Sequence, residues 1–342
     1  MKKLYFVLAI AIFAFAFASC TKEGAYKPKE RISKIFISST YSRTYTPAVY
    51  EGYSGKTDKY LRQMWKWGDK TLDQIDNYES DGSLASTLHF SYDKKNRLER
   101  IDDYQSASYT TYKYDGNELK SAESWNHGAI TSAANISYEG NVFTGKKIKK
   151  IEYTVYNKKK NAEGEVASLD NALVYLLGED VASNIDQILS EKATRGVVVI
   201  TIDLTWKKKN VEKMVVSGND GGYFEYTYTY SYDSNKNPYY KMYAMMGADE
   251  ESVICLSENN VTGYNYTYVE DGDTENGTES YNISYDGKFP SMRIYTYTSS
   301  YNSTYTDYSS YHYNEITGEY GYDEIPYTSN YTSTTTTYFE YE

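Results

Sequence analysis

One pattern recurs along this 342-residue chain and sets most of what it can fold into. It reads aromatic, any residue, aromatic, a polar turn, then an apolar residue with another three positions on. Trp65-Lys66-Trp67-Gly68-Asp69-Lys70-Thr71-Leu72 leads to Ile75, and Phe90-Ser91-Tyr92-Asp93-Lys94-Lys95-Asn96-Arg97-Leu98 leads to Ile101. Tyr112-Lys113-Tyr114-Asp115-Gly116-Asn117-Glu118-Leu119 leads to Ala122, and weaker copies begin at Ile136, Leu204, Tyr230 and Ile283. Each unit reads as a β-hairpin. Spacing of i, i+2 puts both aromatics on one face of a strand, and Asp, Gly, Asn and Lys supply the turn. The apolar interval of three is odd, so either the first apolar residue folds back within the turn or a bulge intervenes. A lone hairpin is marginal in water, whereas serial hairpins pair edge to edge and stabilise one another.

Tyrosine supplies the apolar mass. The chain holds 43 of them, each a large ring with a polar tip, and few of the Val/Ile runs that buried parallel strands need. From Tyr223 onward the sequence alternates as Tyr-x-Tyr-x, which argues for strands, and Tyr327 to Glu342 reads as a last edge strand or a frayed end. One segment breaks the pattern. Between Val166 and Lys192, Leu169, Leu173, Leu176, Val181, Ile185 and Ile188 recur at helical spacing, so a helix over 166–192 is expected to cover a sheet face. Val197 to Leu204 reads as the strand beneath it. The expected fold is mainly β: serial antiparallel hairpins in a long twisted or curled sheet, with one helical insertion.

The amino terminus addresses the protein. Met1-Lys2-Lys3 precedes an uncharged apolar stretch from Leu4 to Ala18, too short to span a bilayer comfortably and matching a secretory signal. It ends in Phe17-Ala18-Ser19-Cys20, which resembles the lipobox of bacterial lipoproteins; that resemblance implies cleavage before Cys20 and acylation there. The organisation read from this is a signal peptide at 1–19, a lipidated linker at 20–30 and a single β-repeat domain at 31–342. The location implied is the outer membrane, on its periplasmic or exposed side, with the lipid as the membrane contact. Cys255 lies in an apolar run and reads as a buried, inert thiol.

The hairpin units resemble the YD repeats of bacterial wall-associated and Rhs-type proteins, the best copy being Tyr92-Asp93 through Arg97-Leu98 and Ile101. The stretches Tyr232-Asp233-Ser234-Asn235-Lys236-Asn237-Pro238-Tyr239 and Leu256-Ser257-Glu258-Asn259-Asn260-Val261, together with the lipobox, are similar to a group of uncharacterised lipoproteins of gut Bacteroidota. The resemblance implies the repeat fold and the anchor, and it carries no functional residue over.

Charge and chemistry narrow the function classes. The formal charge is −11, and residues 240–342 hold 3 basic against 17 acidic side chains, which repels nucleic acid. Lysine clusters at 146–150, 158–160 and 207–209 read as solvated turn tips, with contact to anionic lipid or polysaccharide as the alternative. The run holding Asp271, Asp273 and Glu275 has the oxygen-rich look of a calcium loop but fails the EF-hand spacing, so a hairpin connection explains it equally well. His89, His127 and His312 are scattered, and no catalytic signature accompanies them. No cofactor is called for. The aromatics that recur at equivalent positions, Trp65, Trp67, Phe90, Tyr92, Tyr112 and Tyr114, are the candidate ligand platform, with cross-strand stabilisation of the sheet as the plain alternative. The reading is a non-catalytic envelope lipoprotein that binds a glycan or a protein partner. A polysaccharide-processing enzyme is the alternative from another class, needing only two facing carboxylates. A structural adhesin or surface-layer component is the third.

Overall fold

The computed structural model describes residues 26–140, 146–156, 197–219, 223–242, 255–270, 273–314 and 319–342. They form sixteen strands in chain order. These are β1 Ile32–Thr46, β2 Tyr53–Trp67, β3 Leu72–Tyr78 and β4 Leu84–Tyr92; β5 Leu98–Asp103, β6 Ser108–Asp115, β7 Glu118–Asn126 and β8 Ala129–Glu139. There follow β9 Lys147–Tyr156, β10 Val197–Lys207, β11 Asn210–Asn219 and β12 Tyr223–Lys236; then β13 Asn259–Glu270, β14 Asp273–Asp286, β15 Phe289–Asn314 and β16 Glu319–Tyr341. Every strand pairs antiparallel with its sequence neighbours, and β16 returns to pair with β1 from Ile32↔Tyr341 to Thr46↔Thr328. The result is a closed barrel. An open, curled sheet was the expectation, and the closing ladder corrects it: the segment read as a terminal edge lies between two partners. Closure removes the unpaired edge that an open sheet would expose. The helix expected at 166–192 lies outside the described residues.

The odd interval of three resolves as a bulge. Trp67 pairs Leu72 and Lys66 pairs Gln74, so Asp73 has no partner across the strand. The same shift leaves out Glu99, Lys120, Lys149, Glu212 and Ser291 in the later units. One extra residue reverses the alternation, so residues three apart both turn inward. Leu72 and Ile75, Leu98 and Ile101, Leu119 and Ala122, and Ile148 and Ile151 are all buried.

A second device recurs with the first. In every unit but the one at Ile283, the second aromatic donates a hydrogen bond to a backbone carbonyl on the preceding strand. Tyr92 reaches Leu72 O at 2.7 Å, Tyr114 reaches Leu98 O at 2.7 Å and Tyr138 reaches Leu119 O at 3.0 Å. Trp206 Nε1 reaches Ile148 O at 2.6 Å and Tyr232 reaches Val211 O at 2.6 Å. This explains why the position takes Tyr or Trp, which carry a donor, while the first position accepts Phe90, Ile136 or Leu204 as readily as Trp65. Burial pushes the phenols of Tyr92 and Tyr232 well above their ordinary range, so they stay protonated and donating.

The seam repeats both devices. Ile32 pairs Tyr341 and Lys34 pairs Glu340, which leaves Ser33 as the extra residue, while Ile32 and Ile35 face inward. Tyr341 donates to Pro290 O at 2.8 Å and Trp67 Nε1 to Ile32 O at 2.7 Å. The two chain ends therefore make up one more unit, split between Phe339-Glu340-Tyr341 and Ile32-Ser33-Lys34-Ile35.

The wall is apolar inward and polar outward. On β9 to β11, Ile151, Tyr153, Ile200, Ile202, Met214 and Val216 are buried, while Lys150, Glu152, Thr201, Asp203, Lys213 and Ser217 alternate with them. A barrel whose wall faces lipid has the opposite arrangement. The connection after β12 enters the interior and helps fill it. Tyr239 sits between Trp65 and Phe339, with ring centroids 6.4 and 6.1 Å away. The motifs that carried the family resemblance secure this plug. Asp233 accepts from Asn235 N at 2.9 Å, Asn260 N at 3.2 Å, Asn260 Nδ2 at 3.1 Å and the Tyr285 phenol. Burial first, then Asp233, pushes that phenol up to about 12. Asn237 donates to Ser257 O at 3.0 Å, and Cys255 is buried as a free thiol.

Candidate binding surface

The aromatics expected to form a ligand platform are core residues. Trp65, Phe90 and Tyr112 are buried, and Trp67, Tyr92 and Tyr114 pack against them with Trp67 Nε1 and the two phenols committed to carbonyls. Both positions of the unit face the barrel interior, so the rings offer no open face. The other sequence candidates are dispersed. His89 points outward with its ring 4.8 Å from Tyr104, His127 stands in the turn before β8, and His312 is a ladder position opposite Gly321. Asp102 is clasped by Arg100 Nε at 2.8 and 2.9 Å, and Asp103 caps its own turn through Ser106 at 2.8 Å. Asp271 lies outside the described residues, while Asp273 and Glu275 belong to β14, where Thr267 donates across the ladder to Asn276 at 2.7 Å. Among the described residues no three His, Cys, Asp or Glu side chains stand together as a metal set.

A different tyrosine surface is open. Strands β15 and β16 run 26 and 23 residues, and β1 and β2 run 15 each, against 6 to 11 for β3 to β9. Ladder partners end early on both flanks: β15 pairs β14 only up to Tyr295↔Tyr281, and β2 pairs β3 only as far as Gln63↔Asn77. Beyond these points β2, β1, β16 and β15 leave the wall as a four-stranded flap. At about 3.3 Å per residue, the roughly 20 residues of β15 beyond the wall reach about 65 Å.

The face of the flap continues the inward face of the barrel. Alternation from Ile35 and Ile37 carries Tyr41, Arg43 and Tyr45 onto it, and alternation from Phe339 carries Tyr331 and Tyr327. Tyr41, Tyr53 and Tyr297 are 41%, 48% and 36% exposed. Tyr41 and Tyr53 stand 6.2 Å apart, and Tyr297 stands 6.2 Å from Tyr331. The Arg43 guanidinium lies between them, 5.2 Å from the Tyr331 ring and 5.9 Å from Tyr53. Gly55 makes the bed for Tyr41: a Cβ there would come within 2.4 Å of the ring. Farther out, Tyr45, Tyr50, Tyr305 and Tyr327 pack edge to face with centroids 5.2 to 5.8 Å apart. The surface thus offers flat apolar rings at regular spacing around one fixed hydrogen-bond donor. Sequence reading missed it because the same Tyr-x-Tyr alternation runs through core and flap alike; the signal available was Arg43, the one cation within that alternation in β1.

Because consecutive strands alternate in direction, the flap lies at the end of the barrel opposite the chain termini. Tyr26 is seated on the terminal end, buried against Trp67 at 5.7 Å and donating to Pro238 O at 2.5 Å, so the last part of the expected linker is already fixed to the barrel.

Fold and surface together define a closed sixteen-stranded antiparallel barrel with an aromatic interior and a tyrosine-lined extension. Among solved structures it is similar to a porin-like protein from Bacteroides uniformis, at 12% identity and a TM-score of 0.42, covering 91% of this chain and 99% of that one. It is similar also to a porin-like protein from Bacteroides vulgatus, at 8% identity and a TM-score of 0.39, covering 92% and 99%. A further likeness is to the crystal structure of TcdB2-TccC3-Cdc42, at 11% identity and a TM-score of 0.23, covering 70% of this chain and 13% of that one. No family model and no curated protein matches the chain. At these identities and scores the likeness assigns it to none of the families those structures represent.

Proposed function

We propose that the protein is a non-catalytic, lipid-tethered component of the outer-membrane envelope that holds a glycan on its flap. The single observation carrying this reading is the open row of Tyr41, Tyr53, Tyr297 and Tyr331 around Arg43, at the end of the barrel away from the chain termini. Tyrosine rings stack on the C–H faces of sugars, and a guanidinium fixed between rings donates to hydroxyl or carboxylate oxygens without losing further freedom on binding. The polar outward wall supports a tethered barrel in water over one that crosses the bilayer, and the lipobox at Cys20 supplies the tether.

Affinity electrophoresis through gels containing neutral or acidic polysaccharides tests the binding half. Retardation is expected for the unmodified protein, with Tyr41→Ala, Tyr53→Ala and Arg43→Ala each weakening it about tenfold, as truncation of interface anchors does. Retention unchanged in all three variants, or absent for every glycan tried, overturns the binding site. Fatty-acid labelling tests the tether: the label is expected on the parent chain and lost in Cys20→Ala.

A further inference from the structure

The flap has two long edges, and they are built differently. Tyr53 to Arg62 of β2 form one of them, because β2 pairs β3 only as far as Gln63. This edge carries Lys56, Asp58, Lys59 and Arg62, and its ladder to β1 is interrupted by two register shifts. Charges and irregularities of this kind keep an edge from recruiting another strand. β15 forms the other edge. Beyond Tyr295 its only ladder partner among the described residues is β16, and Thr296 to Thr306 hold no charge, no proline and no glycine. Both faces of this run meet solvent, with Thr296, Thr298 and Thr304 exposed on one and Tyr297 on the other. The straight run stops at Asp307, which accepts from Ser309 N at 2.9 Å and Ser309 Oγ at 2.6 Å, and the ladder to β16 resumes at His312. The stretch of β14 that parts from β15 is guarded as β2 is, by Asp273, Glu275 and Glu279.

The unguarded edge also reads nearly the same in either direction. Residues 296–306 run Thr-Tyr-Thr-Ser-Ser-Tyr-Asn-Ser-Thr-Tyr-Thr, and only Ser300 and Asn302 break the symmetry. We infer that this edge is the interface between two copies of the chain, paired antiparallel about a two-fold axis at residue 301. That register sets Tyr297 against Tyr305 of the second copy, Thr296 against its Thr306, Thr298 against its Thr304 and Ser299 against its Ser303. Cross-strand pairs of Tyr with Tyr and Thr with Thr are favourable, and no like charges meet across the axis. A ladder of this length makes about ten backbone hydrogen bonds, from groups that the flap leaves without a strand partner. Opposed residues of an antiparallel ladder point to the same side, so the two flaps join into one sheet with both tyrosine faces on one side. The barrels then stand at opposite ends of that sheet, with their chain termini pointing apart. Self-pairing needs only the edge, so it does not depend on the flap holding a glycan.

The test is sedimentation velocity of residues 20–342, which hold every described element, carrying Cys20→Ala. A concentration-dependent equilibrium between monomer and dimer is expected. Thr298→Lys with Thr304→Lys brings like charges together twice across the axis, on the face away from the tyrosines, and is expected to weaken the dimer about tenfold. Thr298→Glu with Thr304→Glu should do the same. Mixing the two variants sets Lys against Glu and should restore pairing between them, which reads the register as well as the edge. Ser54→Lys with Asp58→Asn makes the same change in total charge as the lysine pair, but on the β2 edge, and should leave the dimer intact. A parent chain that stays monomeric at every concentration, species larger than a dimer, equal loss in the β2 variant, or no recovery on mixing overturns the inference. The tyrosine face is unchanged in the Thr298 and Thr304 variants, so gel retardation by glycan holds or fails separately.

Discussion

Replacing Trp65 with alanine is expected to cost the barrel about 3–5 kcal/mol, the range for deleting a large aromatic from a packed core. The ring is 3% exposed, touches Trp67 and Tyr239 with centroids 6.2 and 6.4 Å away, and donates through Nε1 to Gln63 at 2.9 Å. Gln63 in turn donates to Asn77 at 2.7 Å, and Asn77 to Ser86 at 2.7 Å. Truncation removes the apolar contact between wall and plug and also breaks the first link of a buried polar chain, so Trp65→Phe should recover much of the packing but not the hydrogen bond. Urea unfolding followed by circular dichroism measures both. A loss under about 1 kcal/mol for Trp65→Ala would mean the ring is not core, and the surface platform read from sequence would return.

The second large effect belongs to the seam. Phe339→Ala is expected to cost about 3 kcal/mol or more, because the ring is 7% exposed and packs on Tyr239 with centroids 6.1 Å apart. Tyr341→Phe removes only the hydrogen bond to Pro290 O and should cost about 1 kcal/mol. Hydrogen exchange separates closure from general loosening. The alanine variant should expose the amides of β1 and β16 well before those of β6 and β7, since no covalent turn holds the seam strands together. Uniform loss of protection across the barrel would show that the seam is no weaker than the covalent hairpins.

The hairpins, their turns and the two possible accounts of the apolar interval were legible because each unit is local and repeated. The bulge could not be told from a folded-back Leu until Asp73 and its counterparts appeared without partners. Closure was not legible, since Ile32-Ser33-Lys34-Ile35 and Phe339-Glu340-Tyr341 make a unit only when brought together from opposite ends of the chain. The ligand platform was misplaced for a chemical reason. A tyrosine at the second aromatic position looks amphipathic and exposed, but its phenol is satisfied by a carbonyl on the neighbouring strand, invisible in a linear reading. The flap was hidden by the same residue type, because alternation gives the phase of a strand and not its length.

The split unit has a topological consequence. Glu342 N donates to Arg31 O at 2.8 Å, so the first and last residues of the ladder already sit as a turn would leave them. The chain ends are then an arbitrary cut in a ring of equivalent hairpins. A circular permutant that bridges 342 to 31 with a short turn and opens at Gly116–Asn117 would trade one break for another. Only the position of the chain ends around the rim would change, because the Gly116–Asn117 turn lies at the same end of the barrel as residues 31 and 342.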